Sequence, residues 1–300
     1  MKNHDFVKGI FFAAAGGIGW GISGVCSQYL FSAYNMDSAW LTAVRMILSG
    51  MVLLGIVLPK EQLNIFSIFK KRIDRMYLIA FALLGLLLCQ YTFMGAIKYS
   101  NSATATVLQS LNVIIMAVIM AIWGRSRMPG TQIAAIILAI LGTYLVTTNG
   151  NPSQMTLSFP GLVLGILAAV GVVTYTLLSR PIIQRWGNIL VTGWGMLIGG
   201  SVLGIVARVW EIPANLDWRA FVVVAVIVLV GTAGGFSAFL QGVKYIGPVK
   251  ATLIGCLEPA TATVLSAICL GSTFGAIELV GFLCILSTVF LSVNKGEPEA

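Results

Sequence analysis

The sequence predicts an all-α integral membrane protein with ten transmembrane helices. Of its 300 residues, 58% are hydrophobic and only 9% are charged, with a mean hydropathy of +0.95. A soluble fold needs far more charge than this to cover its surface. Apolar stretches long enough to cross a hydrocarbon core of ~30 Å recur from Lys8 to Val293, separated by short polar segments. Because lipid offers the backbone no hydrogen-bond partner, each stretch is expected to be helical.

The ten predicted helices are taken in chain order, and the first is treated as an uncleaved membrane helix because it is longer than a signal-peptide core. The predicted spans are Lys8–Leu30, Ser38–Leu58, Met76–Ile97, Asn101–Trp123, Gly130–Thr148, Pro160–Ser179, Asn188–Val209, Trp218–Val243, Pro248–Leu270 and Gly275–Val293.

The net charge of +8 reports topology rather than nucleic-acid binding, because the basic residues are distributed unevenly. Fourteen of them flank the predicted helices on one side, and the other side has only Lys98, Arg208 and Arg219. The positive-inside rule therefore predicts a multi-pass protein of the cytoplasmic membrane with both termini in the cytoplasm.

An internal repeat divides the chain into two halves. Shifting the sequence by 146 residues lays Gly85–Trp123 over Gly231–Cys269 with ten identities in 39 positions, more than shared apolar composition explains. Residues 1–150 and 151–300 are thus predicted to hold five helices each. Since five is odd, the second repeat enters the membrane from the opposite side, and a substrate site is expected near the midplane where inverted repeats meet.

Four features resemble the drug/metabolite transporter superfamily, specifically its ten-helix EamA-type proteins. They are Arg45 in helix 2, the related stretches Ala96–Ala103 and Gly242–Val249, and Leu257-Glu258-Pro259 in helix 9. The resemblance implies a cavity lined by helices 1, 3, 4, 6, 8 and 9, with helices 5 and 10 bracing the outside. It also implies substrates among amino acids, nucleotide precursors, quaternary amines and amphipathic drugs.

Two departures from the family pattern weaken the transfer of any particular substrate. Val113 stands where the first repeat of the family usually has a proline, and Arg125 and Ser272 lie near positions that are usually acidic. Family membership by itself does not select a substrate.

Ionisable residues inside a bilayer are costly unless they are paired or face a cavity, so each one is a candidate for function. Glu258 lies about ten residues into helix 9, near the predicted midplane, and Pro259 is expected to kink the helix and free the carbonyl of Gly255. The alternative is a carboxylate held by a neighbouring hydroxyl such as that of Thr261. Arg45 is predicted to be structural, satisfying carbonyls or Glu278.

The repeat places Asn112 at the position equivalent to Glu258, with Gln109 one turn earlier on the same face. These amides are candidates for the substrate site, although amides also hold membrane helices together. The aromatic residues predicted to line the site are Trp20, Tyr91, Tyr175, Phe236 and Phe239. Rings around Glu258 would suit a cation or the ammonium group of a zwitterion.

Lys98 and Lys244 end equivalent helices, where they are predicted either to reach the headgroups or to act as gates; Arg45 and Pro259 complete this gating and structural group. The single histidine, His4, and the spacing of the five cysteines predict neither a metal site nor a cofactor. Without paired intramembrane carboxylates or a nucleophile motif, an enzyme is the least favoured class.

The function predicted from the sequence is alternating-access transport of a small polar or amphipathic metabolite, with amino acids and organic cations as the leading classes. The alternatives are a membrane scaffold without transport, which needs no solvent-accessible cavity, and a flippase for a lipid-linked substrate, which needs a lateral opening. The expected partners are a small-molecule substrate and membrane lipid, with no nucleic acid, and the protein is expected to be a monomer or a homodimer.

Overall fold

The computed structural model describes residues 3–58, 65–124, 130–148, 151, 158–213 and 216–271, with 275–277, 279–281, 283–284 and 287. Nearly all of these residues are helical, and no strand occurs among them. The helices are α1 (Asn3–Tyr34), α2 (Ser38–Val57), α3 (Arg72–Tyr99), α4 (Ser102–Gln109 and Asn112–Gly124), α5 (Gly130–Thr148), α6 (Phe159–Trp186), α7 (Asn188–Val206), α8 (Trp218–Ile246) and α9 (Pro248–Leu270), with a short 3-10 helix at Ile65–Phe69.

Seven of the described helices are long and apolar enough to cross a membrane: α1, α2, α3, α6, α7, α8 and α9. The protein is therefore a multi-pass membrane protein with an all-helical fold. The predicted fourth helix is split into α4's two segments, and α5 lies where the fifth was predicted. The described residues of the predicted tenth helix include helical ones at 276–277, 279–281, 283–284 and 287, and the rest of that prediction lies outside the described residues.

Helix α6 is longer than the sequence predicted. It continues from the expected end at Ser179 through Pro181 to Trp186. Its last turn meets the start of α3, where Arg185 and the indole of Trp186 donate hydrogen bonds to the buried carboxylate of Asp74 at 2.6 and 3.0 Å. These hydrogen bonds to a buried carboxylate stabilise the last turn, which lies beyond the apolar stretch that marks the span.

Helices α4 and α9 are both interrupted near their middle, which corrects the prediction of a simple proline kink. Helix α9 breaks at Cys256, and Pro259 stands in the first turn of the segment Leu257–Leu270. Proline is tolerated there because the first N–H groups of a helix have no intrahelical partner. Helix α4 breaks at the matching place, after Gln109, without a proline, so proline alone does not cause the interruption.

Structural features recur at the 146-residue interval found in the sequence. Widened π-helical turns occur at Phe81–Leu87 in α3 and at Ile227–Gly234 in α8, and the segments Ser102–Gln109 and Pro248–Gly255 both end at a break. The helix pairings recur as well: α1 packs on α8 and α9, whereas α6 packs on α3 and α4, and α2 packs on α7.

Candidate functional site

Two adjoining cavities lie in the interior of the bundle, where α1, α4 and α9 meet α2, α3, α6 and α8. Trp20, Gln109 and Glu258 line both of them. One cavity is also lined by Ser110, Asn112, Val172, Phe239, Thr252, Gly255 and Cys256, and the other by Ser23, Arg45, Cys89, Gln90, Phe93, Tyr175 and Phe236. The free space is narrow and admits only water-sized groups, so a larger ligand requires the surrounding helices to move.

Glu258 reaches the cavities because α9 restarts at Leu257, which puts the carboxylate in the first turn of the second segment. The residue is only 5% exposed. The Nε2 group of Gln109 donates a hydrogen bond to Oε2 of Glu258 at 3.4 Å, and Oε1 has no hydrogen-bond partner among the described residues. The helix N-terminus favours a negative charge at this place.

A close approach of α1 to the break in α9 fixes the position of this carboxylate. A Cβ atom on Gly17 would lie 2.9 Å from the carbonyl oxygen of Gly255, and one on Gly21 would lie 2.8 Å from the carbonyl oxygen of Glu258. Only glycine leaves space for the backbones to come this close.

Four aromatic rings form a continuous wall beside Glu258. The ring centroids of Trp20 lie 4.9 Å from Phe236 and 4.8 Å from Phe239, and those of Tyr175 lie 5.5 and 6.2 Å from the same two rings. All four side chains are at most 8% exposed. Aromatic faces carry partial negative charge, so this wall suits an apolar group or a cation.

Arg45 lines the same cavity as Glu258, although the sequence predicted a structural role for it. It is 4% exposed, its Nη1 group donates to the hydroxyl of Ser23 at a long 3.5 Å, and its Nε group has no partner among the described residues. Neither Arg45 nor Glu258 forms an ion pair within 4.0 Å with any residue that the structure describes. Glu278, the suggested partner of Arg45, lies outside the described residues.

Many polar atoms around the cavities are buried without a hydrogen-bond partner in the described part of the chain. They are Nε1 of Trp20, Nε of Arg45, Oε1 of Gln90, Oε1 of Gln109, Oδ1 of Asn112, the hydroxyls of Tyr175 and Thr252, and Oε1 of Glu258. Each such atom costs about 1–3 kcal/mol unless water or a ligand satisfies it. The arrangement offers both donors and acceptors to a polar guest.

The structure brings together seven of the eight side chains predicted to bind substrate: Glu258, Asn112, Gln109, Trp20, Tyr175, Phe236 and Phe239. The eighth, Tyr91, lies in neither lining and is 43% exposed. Its neighbour on α3, Gln90, faces the cavity instead, and successive helical residues point about 100° apart.

The two lysines predicted either to reach the headgroups or to act as gates line neither cavity. Lys98 pairs with Asp37 at 3.4 Å at the ends of α3 and α2, and Lys244 is exposed near the end of α8. The Thr261 hydroxyl bonds the carbonyl of Leu257, so it does not hold the Glu258 carboxylate.

The sequence analysis did not predict Gln90, Ser23 and Thr252 as lining residues, and it predicted a structural role for Arg45 instead of a place in the cavity lining. The signal for Arg45 was present, because a charge within a membrane span is a functional candidate by default. The three uncharged residues carried no such signal, since polar side chains of this size are common in helix packing.

A bundle of membrane-spanning helices around a buried polar cavity is the architecture of a membrane transporter. The EamA-like transporter family matches residues 7–148 and again residues 159–294. The chain therefore belongs to the EamA-like transporter family, within the drug/metabolite transporter superfamily, and it is a membrane transporter.

Relatives of known name agree with this assignment. The "Uncharacterized inner membrane transporter YicL" of Salmonella typhimurium is 34% identical over 284 residues, covering 95% of this chain and 94% of the relative. The "Uncharacterized transporter YyaM" of Bacillus subtilis is 24% identical over 260 residues, covering 84% and 82%. A protein of known crystal structure shares the fold with a TM-score of 0.69 at 15% identity, over 92% of this chain and 95% of that one.

Proposed function

We propose that this protein is a secondary transporter that moves a small polar or amphipathic metabolite with an ammonium group, an amino acid or an organic cation, across the cytoplasmic membrane by alternating access. The observation that supports the proposal most is Glu258, a buried carboxylate that lines a cavity walled by aromatic rings and has one oxygen without a hydrogen-bond partner among the described residues. Carboxylate attraction and cation–π attraction act together on an ammonium group placed there.

The cavity favours transport over a scaffold role. A protein that only holds partners together gains nothing from unpaired polar atoms in its interior, and apolar packing would be more stable. A transporter does gain, because the same atoms bind a substrate that has left its hydration shell. The residues support binding rather than catalysis, and we assign no enzymatic step to them.

Alternating access is supported by the recurrence of structure at the 146-residue interval. We take residues 1–150 and 151–300 to be inverted repeats, so that Asn112 and Glu258 are equivalent residues at the break of equivalent helices. The narrow free space fits an occluded arrangement, from which one repeat has to move against the other to admit substrate.

Two further observations support a proposal for the membrane and the orientation of the protein. The name of YicL refers to the inner membrane, and the basic residues of this chain lie mostly beside one set of helix ends. We propose that the protein lies in the inner membrane with both termini in the cytoplasm.

The decisive experiment is uptake into proteoliposomes, guided by a thermal-shift screen of amino acids and organic amines against the purified protein. A ligand that binds the folded state raises its apparent melting temperature. Ligands from the screen should be taken up by the parent, and uptake should fall in Glu258→Gln. If none of the screened compounds is moved while labelled lipid crosses the bilayer, a flippase replaces this proposal. If neither the screened compounds nor the labelled lipid cross the bilayer, a scaffold role replaces this proposal.

A further inference from the structure

We propose that Arg45 is the anion-binding part of the transport site, so that the protein selects zwitterions, which have both an ammonium and a carboxylate, over cations that lack the carboxylate. The inference rests on the proposed function and specifies its substrate. Glu258 receives the ammonium, and the Arg45 guanidinium receives the carboxylate.

The first argument is the separation of two buried opposite charges. Arg45 on α2 and Glu258 on α9 are 4% and 5% exposed and line the same cavity, yet neither has an ion-pair partner within 4.0 Å in the described ranges. Two charges that served only to neutralise each other would be in contact, because attraction offsets desolvation only at good geometry and short range. Since the two groups do not contact each other, both are available to a ligand with the opposite order of charges.

The second argument is the unused hydrogen-bonding capacity of Arg45. A guanidinium group has five N–H donors in a planar fork that matches the two oxygens of a carboxylate. Among the described residues, the hydrogen bond that Arg45 donates is the one to Ser23, which is 3.5 Å long, and its Nε group has no partner there. A bidentate carboxylate would satisfy these donors.

The third argument is the chemistry of the aromatic rings in the cavity that the two charges share. Trp20, Tyr175 and Phe236 line the cavity that Arg45 and Glu258 share. Their rings provide an apolar surface for the body of the ligand. The ligand class is therefore a small zwitterion with an apolar side chain.

The test compares two probes that differ in the carboxylate, L-phenylalanine and phenethylamine, with the full-length protein in proteoliposomes and in a thermal-shift titration. The parent should bind and transport phenylalanine at least about tenfold better than phenethylamine. Arg45→Gln should lose about tenfold or more for phenylalanine while phenethylamine changes less than about twofold. Arg45→Lys should retain part of the preference, because it keeps the charge and loses the fork.

The matched control is Thr42→Val on the same helix. Thr42 is fully buried three residues before Arg45, and its hydroxyl bonds the carbonyl of Ser38 within α2 at 2.6 Å. This variant should behave like the parent with both probes.

The outcomes separate the two proposals. If Arg45→Gln weakens the binding and transport of both probes equally, Arg45 is structural. If the parent prefers phenethylamine, the inference that the protein selects zwitterions is wrong, whereas the proposed transport of an ammonium compound still stands. If no amino acid or amine is bound or moved by the parent, the proposed function fails and this inference fails with it. If Arg45→Gln does not fold, the test rests on the parent and on Arg45→Lys. A preference of the parent for phenylalanine that is reduced in Arg45→Lys supports the inference, and an unchanged preference contradicts it.

Discussion

The side-chain amide of Gln109 donates to the carboxylate of Glu258 at 3.4 Å, which connects the first segment of α4 to the restart of α9. The distance is longer than the usual range of roughly 2.7 to 3.2 Å for an N–H···O hydrogen bond. The bond is therefore weak, and a substrate ammonium could replace it at little cost. Within the described part of the chain, the carboxylate therefore has no strong hydrogen-bond or ion-pair partner.

The first prediction is that the charge of Glu258 governs affinity. Glu258→Gln keeps the size of the side chain and removes its charge, so affinity for an ammonium substrate should fall about tenfold or more, or about 1.4 kcal/mol. The affinity of the parent should also fall as the pH is lowered, because a protonated carboxyl no longer attracts a cation. Binding titrations over a pH series check both effects. If a folded Glu258→Gln protein binds the substrate like the parent at every pH, the role of the carboxylate is structural and the site assignment is wrong.

The second prediction concerns Asn112, the residue at the equivalent position. Its Nδ2 group donates to the carbonyl of Gln109 at 2.5 Å, and the side chain carries no charge. Asn112→Ala should therefore reduce substrate affinity less than Glu258→Gln does, since a neutral amide contributes a weaker contact than an ionised group. The same titration compares the two variants. A larger loss for Asn112→Ala would assign the main polar contact to the first repeat.

The sequence predicted most of this architecture because the membrane imposes simple rules. Length and hydropathy located the helices, and the position of Glu258 along its apolar stretch pointed to the interior. The break in α4 was missed because Val113 is not a helix breaker, and no local pattern marks the turn at Ser110 and Leu111. The side-chain amide of Asn112 donates to the carbonyl of Gln109 three residues earlier, so a local hydrogen bond from a side chain to the backbone accompanies the break.

The candidate site was harder to predict in detail. A sequence shows that an aromatic residue is on a helix, but the direction of the ring depends on how that helix is rotated against its neighbours. Tyr91 and Gln90 are adjacent, and only Gln90 lines a cavity. Arg45 was recognised as unusual, but its place in the lining of the cavity that Glu258 also lines depends on how α2 packs against the rest of the bundle.

The third prediction tests the close approach of α1 to α9. Gly17→Ala places a methyl group 2.9 Å from the carbonyl oxygen of Gly255, so the helices must separate, at a cost of about 1–3 kcal/mol. The apparent melting temperature in detergent should fall, and substrate affinity should fall with it because Glu258 shifts. Gly55→Ala is the control, since a Cβ there would have no described atom within 4 Å. Equal melting temperatures for the two variants would contradict the contact.

The fourth prediction concerns orientation. Lys70, in the basic loop before α3, should lie in the cytoplasm, and Glu211, between α7 and α8, should lie outside. With the native cysteines replaced by alanine, an impermeant maleimide should label Glu211→Cys in intact cells and Lys70→Cys only after permeabilisation. The reverse pattern would invert the topology.

The last prediction concerns the C-terminal end of α1 and the N-terminal end of α8, where the Tyr34 hydroxyl donates to the carboxylate of Asp217 at 2.6 Å. The pKa of the Asp217 carboxyl is lowered, first by this hydrogen bond and then by the backbone N–H of Ala220. A carboxyl whose pKa is lower in the folded state than in the unfolded state stabilises the fold at any pH above its unfolded-state pKa. This stabilisation is lost as the pH falls through the folded-state pKa.

Tyr34→Phe should therefore lower the apparent melting temperature near pH 7, and its difference from the parent should shrink below about pH 4, where aspartate takes up a proton. Thermal unfolding in detergent between about pH 3 and pH 7 measures this difference, because the range extends to both sides of the ordinary pKa of an aspartate side chain, about 3.9. Tyr99→Phe is the control, because Tyr99 also ends a helix and is 54% exposed. A difference between Tyr34→Phe and the parent that stays constant across the range would mean that the hydroxyl acts through packing and not through the charge of Asp217.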